Sequence, residues 1–418
     1  MTECHLDHSP LTPGGPGLAL CWADTVPDVP DVPAPQPPAR VVLDSAGRAP
    51  VLPAAREAYL AALDEGWADP RRLHSEGRRA RALLDGAREA VAALVGARTE
   101  EVDLAPSHTA ALHGAVRTVA RGRRRVGGTV VASAVERMAV LDAADLAAAE
   151  SGGTRVTVPV DRSGRVDAAA FAEAVAAPGV SLAALQHANG EVGTRQPVAE
   201  AHAAARAAGV PLLVDAGSSF GQVAVGAAWD VLTIDPGDVG APPGVAVLVT
   251  RAGVRRSPVG PVDEDRWFPG GVAVPAALAA AVALQHADAR VRAGDDDRAV
   301  LVDRVRSRVA GMRLVDVAGP AAHAERLPHV LTFSCLYVDG EAVVTALDRA
   351  GFAVASGSAC TSATETPSHV LAAMGLLSQG NVRLSLPRGT TAADVDRFCA
   401  VLPGVVADLR RAAGADDL

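Results

Sequence analysis

Several polar side chains stand where apolar runs stop. Thr109 follows VDLAP, Asn189 follows AALQHA, Asp215 follows PLLV and Asp235 follows VLTI. In an open parallel sheet, ligands bind beyond the carboxyl ends of the strands, so these are the positions a ligand site draws on. Further along, Cys360 lies in SGSACTSAT, a loop of small polar residues that suits an accessible, mobile thiol. An amine nucleophile is missing altogether. All 39 of the Lys+Arg residues are arginine.

The elements that must hold these residues are legible from periodicity. Strand-like runs fall at 129–135, 181–188, 211–216, 231–234 and 245–250. Helical patterns lie between them, including the stretch after Ser75 and VAEAHAAARAAG, where Gly209 stands at the expected helix end. Strands apolar on both faces and alternating with helices predict a mainly parallel, seven-stranded type of sheet sandwiched by helices, an α/β fold. After about Pro261 the pattern changes. Helices over 275–292 and 295–310, an alternating strand over 331–338 and a helix over 340–350 predict a smaller α+β domain. Residues 1–39, rich in proline, glycine and aspartate, read as a disordered tail. The expected division is therefore 1–39 tail, 40–260 large domain and 261–418 linker helices with the small domain.

Composition narrows the function. A net charge of −9 argues against a nucleic-acid partner, and the arginine run at 121–125 reads as a solvated turn. No long apolar run predicts a membrane span. The five cysteines (Cys4, Cys21, Cys335, Cys360, Cys399) are scattered without metal-ligand spacing. Cys335 and Cys399 sit in apolar patterns as core residues. A reducing cytoplasm is the expected compartment.

Six segments, in order, resemble the cysteine desulfurases of the class-V aminotransferase group. They are VVLDSAGRAP, EGWADPRRLHSEGRRAR, HANGEVGTRQPV, LLVDAGSSFG, SGSACTSATETPSHVL and NVRLSLPRGTTAADVDRF, within residues 41–403. The resemblance implies the large-and-small-domain fold of pyridoxal-phosphate transferases. It also implies a lysine that holds the cofactor as an imine, in a Ser-Gly-His-Lys run before a Gly-Pro-x-Gly turn. Here that run is LTIDPGDVGAPPG, and counting back from Gly244 puts Asp238 at the lysine position. A carboxylate cannot form a Schiff base.

The same resemblance assigns the other positions. Asp235 and Gly237 replace the phosphate-binding serine and its histidine. Arg137 replaces the histidine that stacks on the ring, Ser218 the glutamine at its phenolic oxygen, and Gly271 a threonine lent by the neighbouring subunit. Asp215 matches the partner of the ring nitrogen, and Asn189 and Thr109 also match. Arg383 matches the arginine that grips the substrate carboxylate, and Cys360 the cysteine that becomes a persulfide. A carboxylate at Asp235, about 4 Å from a phosphate charge, would repel it by about 4 kcal/mol.

These replacements lead to the expectation of no bound cofactor, only a vestigial pyridoxal-phosphate pocket. The expected protein is a pseudoenzyme of sulfur trafficking. It would form a homodimer, or a heterodimer with an active paralogue, and would bind a sulfur-acceptor protein. Two other readings stand beside it: a persulfide carrier through Cys360, and a lysine-independent enzyme using pyridoxal or pyridoxamine phosphate with Asp238 or His108 as base.

Overall fold

The computed structural model describes residues 40–356 and 367–415. Among them, seven strands form one sheet in the spatial order Val102–Ala105, Ala246–Thr250, Val231–Ile234, Leu212–Asp215, Val180–Ala184, Thr129–Ser133 and Arg155–Val158. Neighbours from Val231–Ile234 to Arg155–Val158 run parallel, while Ala246–Thr250 is antiparallel to both of its neighbours. This is the mainly parallel sheet that the apolar runs predict.

Its strands are apolar throughout because both faces are covered. Leu212 and Val214 join one core with the helices Ser75–Val95, Val198–Ala207 and Val274–Ala293. Leu213, between them, points the other way into a core with His108–Gly122 and Met138–Glu150. The side-chain period of two thus feeds two separate cores from one strand. Alanine dominates the helix faces that meet the sheet, so the layers approach closely. Leu212–Asp215 is the middle strand, which puts the carboxylate of Asp215 at the centre of the sheet's carboxyl edge.

The second sheet, ordered Asn381–Ser385, Val330–Cys335, Val315–Val317, is antiparallel. The helices Arg298–Ala310, Gly340–Arg349 and Ala392–Ala412 cover it. Its central strand ends sooner than alternation predicts. Tyr337 takes a left-handed φ of 62°, and Asp339 accepts from Ala342 N–H at 3.1 Å to cap the next helix. The preceding helix starts at Arg298 rather than 295, because the Asp296 carboxylate accepts from Arg298 N–H at 3.2 Å. Gly209, at φ 67°, ends the helix Val198–Ala207 as its position implies. Among the described residues no helix is long and apolar enough to cross a membrane.

Phe398 anchors the last helix to this smaller layer. It is fully buried and meets the Phe352 ring edge-on, with centroids 5.5 Å apart. Phe398→Ala leaves a cavity there and is expected to lower stability by about 3–5 kcal/mol, read as an earlier urea midpoint. Phe398→Leu should lose less than half of that.

Candidate functional site

Asp215 organises the strand ends. It is 3% exposed, and both of its oxygens have partners. Oδ2 accepts from Arg137 Nε at 3.0 Å; Oδ1 accepts from Gly217 N–H at 2.8 Å and lies 3.1 Å from His108 Nε2. Burial alone would raise this carboxyl's pKa, but His108, Arg137 and the Gly217 N–H hold it far below the ordinary range. Arg137 also donates from Nη2 to Ser218 Oγ at 2.6 Å. Arg137, distant in sequence, thus joins Asp215 and its near neighbour Ser218 in one hydrogen-bonded unit.

Asp238 faces this unit from the 3-10 turn Pro236–Val239. It is 4% exposed and accepts from the backbone N–H of Gly47. Burial, reinforced by Asp235, pushes its carboxyl up to about 7 against the pull of Arg137. At neutral pH it is therefore part protonated, a group able to take or give a proton. Asp235 starts the same turn and turns its carboxylate onto Gly237 N–H at 3.0 Å and Arg48 Nη1 at 3.4 Å.

Small residues make room for the side chains around this cluster. A Cβ on Gly237 would collide with Arg48 Nη1, one on Gly217 with the His108 ring, and one on Gly190 with Ser218 Oγ. Arg48, His108 and Ser218 each fit against a glycine where a Cβ would collide.

The remaining candidates divide. Thr109 lies exposed in the first turn of His108–Gly122, whose N-terminal N–H groups form a natural anion seat. Asn189 is buried and fully engaged with backbone. It donates to Val135 O at 3.1 Å and accepts from the N–H groups of Glu191 and Val192 at 2.8 and 2.9 Å, so it builds its turn. Arg383 rises from the smaller sheet, its Nη2 3.3 Å from Asp44 Oδ1. Glu191, close enough to feel the Arg383 charge, is pushed up to about 7 by burial. Gly271 is half-exposed at φ 67°. Cys360 lies outside the described residues. Cys335 is a core side chain whose thiol burial pushes up to about 11, and Cys399 is half-buried on its helix. Neither is a poised nucleophile.

Three residues carry weight that motif reading missed. Glu136, next to Arg137, is buried and pushed up to about 8, chiefly by desolvation. Its one sequence signal is position, just past a strand end. Arg48 and Glu191 sit inside segments that resemble the family, but only the fold brings Arg48 to Asp235 and Glu191 to Arg383.

The fold and this cluster define a class of protein. The structure superposes on a solved NifS-like protein with a TM-score of 0.80, covering 88% of this chain and all of that one, at 24% identity. It also superposes on DndA from Streptomyces lividans with a TM-score of 0.69 at 29% identity, covering 82% of this chain and 98% of that one. The aminotransferase class-V family model matches residues 41–398, and the chain belongs to that family. Among its curated relatives, a cysteine desulfurase of Cereibacter sphaeroides is 34% identical over 89% of this chain and 97% of that one. Cysteine desulfurase IscS 1 of Archaeoglobus fulgidus is 34% identical over 88% and 97%. The chain is thus cysteine desulfurase-like.

This membership corrects the expectation that the chain has no cofactor and only a vestigial pocket. The family is a pyridoxal-phosphate family, and the absence of a lysine removes a covalent anchor but not every group that could meet a phosphate or a ring. The structure supplies the physical reason. The carboxylate of Asp235, expected to repel a phosphate, is compensated by Arg48 and the Gly237 N–H, and Arg137 adds a cation. The donors fit non-covalent retention. Asp215 would face the ring nitrogen, the first turn at Thr109 would face the phosphate, and Arg137 and Ser218 would line the ring. They do not fit covalent attachment, since no lysine exists in the 418 residues.

Burial of Glu136 and Asp238 makes stability depend on pH with a definite sign. The folded chain keeps protons that the unfolded chain releases near its ordinary carboxyl pKa, so stability falls as pH rises through the window up to about 8. Glu136→Gln keeps an oxygen for the Gln186 N–H, which Glu136 accepts at 2.9 Å, and removes the ionisation. Between about pH 5 and about pH 8 the variant should escape roughly 3 kcal/mol of the wild-type decline, measured by urea unfolding. Equal slopes for the two proteins would refute the assignment.

Proposed function

We propose that this chain is a desulfurase-fold protein that has left lysine-dependent desulfuration, a pseudoenzyme with respect to that reaction. The single observation behind the reading is a buried Asp238 at the lysine position, in a chain that contains no lysine to replace it. Pyridoxal phosphate, when bound, would serve as an electron sink for substrate carbon. Without a lysine amine, this chain cannot anchor the group covalently, nor exchange a substrate amine against its own. What its residues do is hold charge in place. Asp215 stays ionised, Arg137 spans Asp215 and Ser218, and Arg48 neutralises Asp235. The role that follows is in sulfur trafficking as a partner, a homodimer or a heterodimer with a catalytic paralogue, that engages a sulfur-acceptor protein.

A second reading draws on one observation, the pKa of about 7 at Asp238 beside Arg137. A carboxyl so tuned is suited to proton transfer, and it would serve a lysine-independent reaction on a non-covalently held cofactor. The sets of matched glycines also favour a rebuilt pocket over an eroded one.

Two measurements test the first reading. Titration with pyridoxal phosphate should shift the visible absorption band, while borohydride treatment should leave the protein mass unchanged. With the cofactor supplied, sulfide release from cysteine should run at least about a thousandfold below a lysine-bearing desulfurase assayed beside it. A rate within about tenfold of that enzyme would end the proposal. A cofactor-dependent turnover of other amino acids that Asp238→Asn abolishes would favour the second reading.

A further inference from the structure

A cavity of about 370 Å³ has Asp238 in its lining but none of Asp215, Arg137, Ser218, His108 or Asp235. Its walls are the loop Ala49–Pro53, the end of the helix Val274–Ala293 and the turn Pro387–Gly389. Its polar lining is lopsided. It includes Arg290, Arg298, Arg388 and His286, against Ser45, Gln222 and Asp238.

The arginines differ in what they have left to give. Arg298 is 3% exposed and fully occupied, donating to Asp296 at 2.6 and 2.8 Å, to Gln222 Oε1 at 2.7 Å and to Leu386 O at 3.1 Å. It forms a fixed cationic wall. Arg388 donates to Gly221 O at 2.9 Å and lies 3.5 Å from Asp296, which Arg298 already holds. Burial, followed by the charges of Arg298 and Arg290, pulls the Arg388 guanidinium down to about 10. Burial, followed by the charges of Arg298 and Arg388, holds the buried His329 well below the ordinary histidine range. Arg290 extends from an exposed position in the last turn of its helix. The nearby Asp288 pairs with Arg292 at 2.7 Å. Asp238, also in the lining, accepts at Oδ1 from Gly47 N–H.

We propose that this cavity binds a small oxyanion-bearing ligand, a carboxylate or a phosphate, gripped between Arg290 and Arg388 against the wall of Arg298. Two guanidinium forks facing one concavity suit a planar or tetrahedral oxyanion, which each can meet with paired N–H groups. The volume falls within the range of small-ligand sites. The inference is independent of whether the neighbouring pocket performs any reaction. The two sites share only Asp238.

Calorimetric titration of the full chain tests it, with sodium phosphate and sodium succinate as separate probes and ionic strength held constant with chloride. Saturable binding is expected for at least one probe, and which one binds distinguishes a phosphate from a carboxylate ligand. Arg290→Ala, at an exposed position that leaves folding intact, should weaken it at least about tenfold, and Arg290→Lys less. Arg81→Ala, on a different helix, should bind as the wild type does. No saturable binding of either anion, or unchanged binding by Arg290→Ala, would overturn the proposal.

Discussion

Asp215 is a carboxylate removed from water at the middle of the sheet's carboxyl edge, and its neighbours are arranged to keep it charged. A buried anion without partners costs several kcal/mol, so the Arg137 fork, the Gly217 N–H and the nearby His108 are conditions of the fold here as well as features of a site. Removing one partner leaves the other charge buried and uncompensated. Ser218 accepts from the guanidinium that Asp215 anchors, and Asp238 lies close enough to feel its charge.

Around this anchor side chains and glycines come as compatible pairs. Arg48 passes where a side chain at Gly237 would stand, His108 passes where one at Gly217 would stand, and Ser218 fits against Gly190. Random loss would leave clashes or orphaned charges. Here the charge of Asp235 finds Arg48, and Asp238 relieves its own by taking up a proton. The charges of the pocket are answered within it.

This closure explains why the replaced residues are weak grounds for inferring cofactor loss. Repulsion between Asp235 and a phosphate is a statement about two charges taken alone. In the folded chain a third and a fourth charge stand beside them. Covalent attachment is different, because it needs one functional group, and no arrangement of carboxylates and guanidiniums supplies an amine.

The sequence by itself determined the layers. Runs apolar on every residue mark strands covered on both faces, and the alternation of such runs with helices of 3.6 periodicity leads to the parallel sheet, because short-range periodicity is set by the backbone. It also determined the chemical ceiling, since a chain without lysine has no lysine chemistry in any fold. The site was legible in part. Asp215 and Asp235 stand out as polar residues ending apolar runs, and six segments carry the family resemblance. The partners were not legible. Arg48 and Asp235 are 187 residues apart, and Arg137 and Asp215 are 78 apart. Whether a charge is compensated or a carboxyl protonated depends on distances of a few ångströms between such residues and on the water excluded around them. Those are properties of the tertiary structure alone.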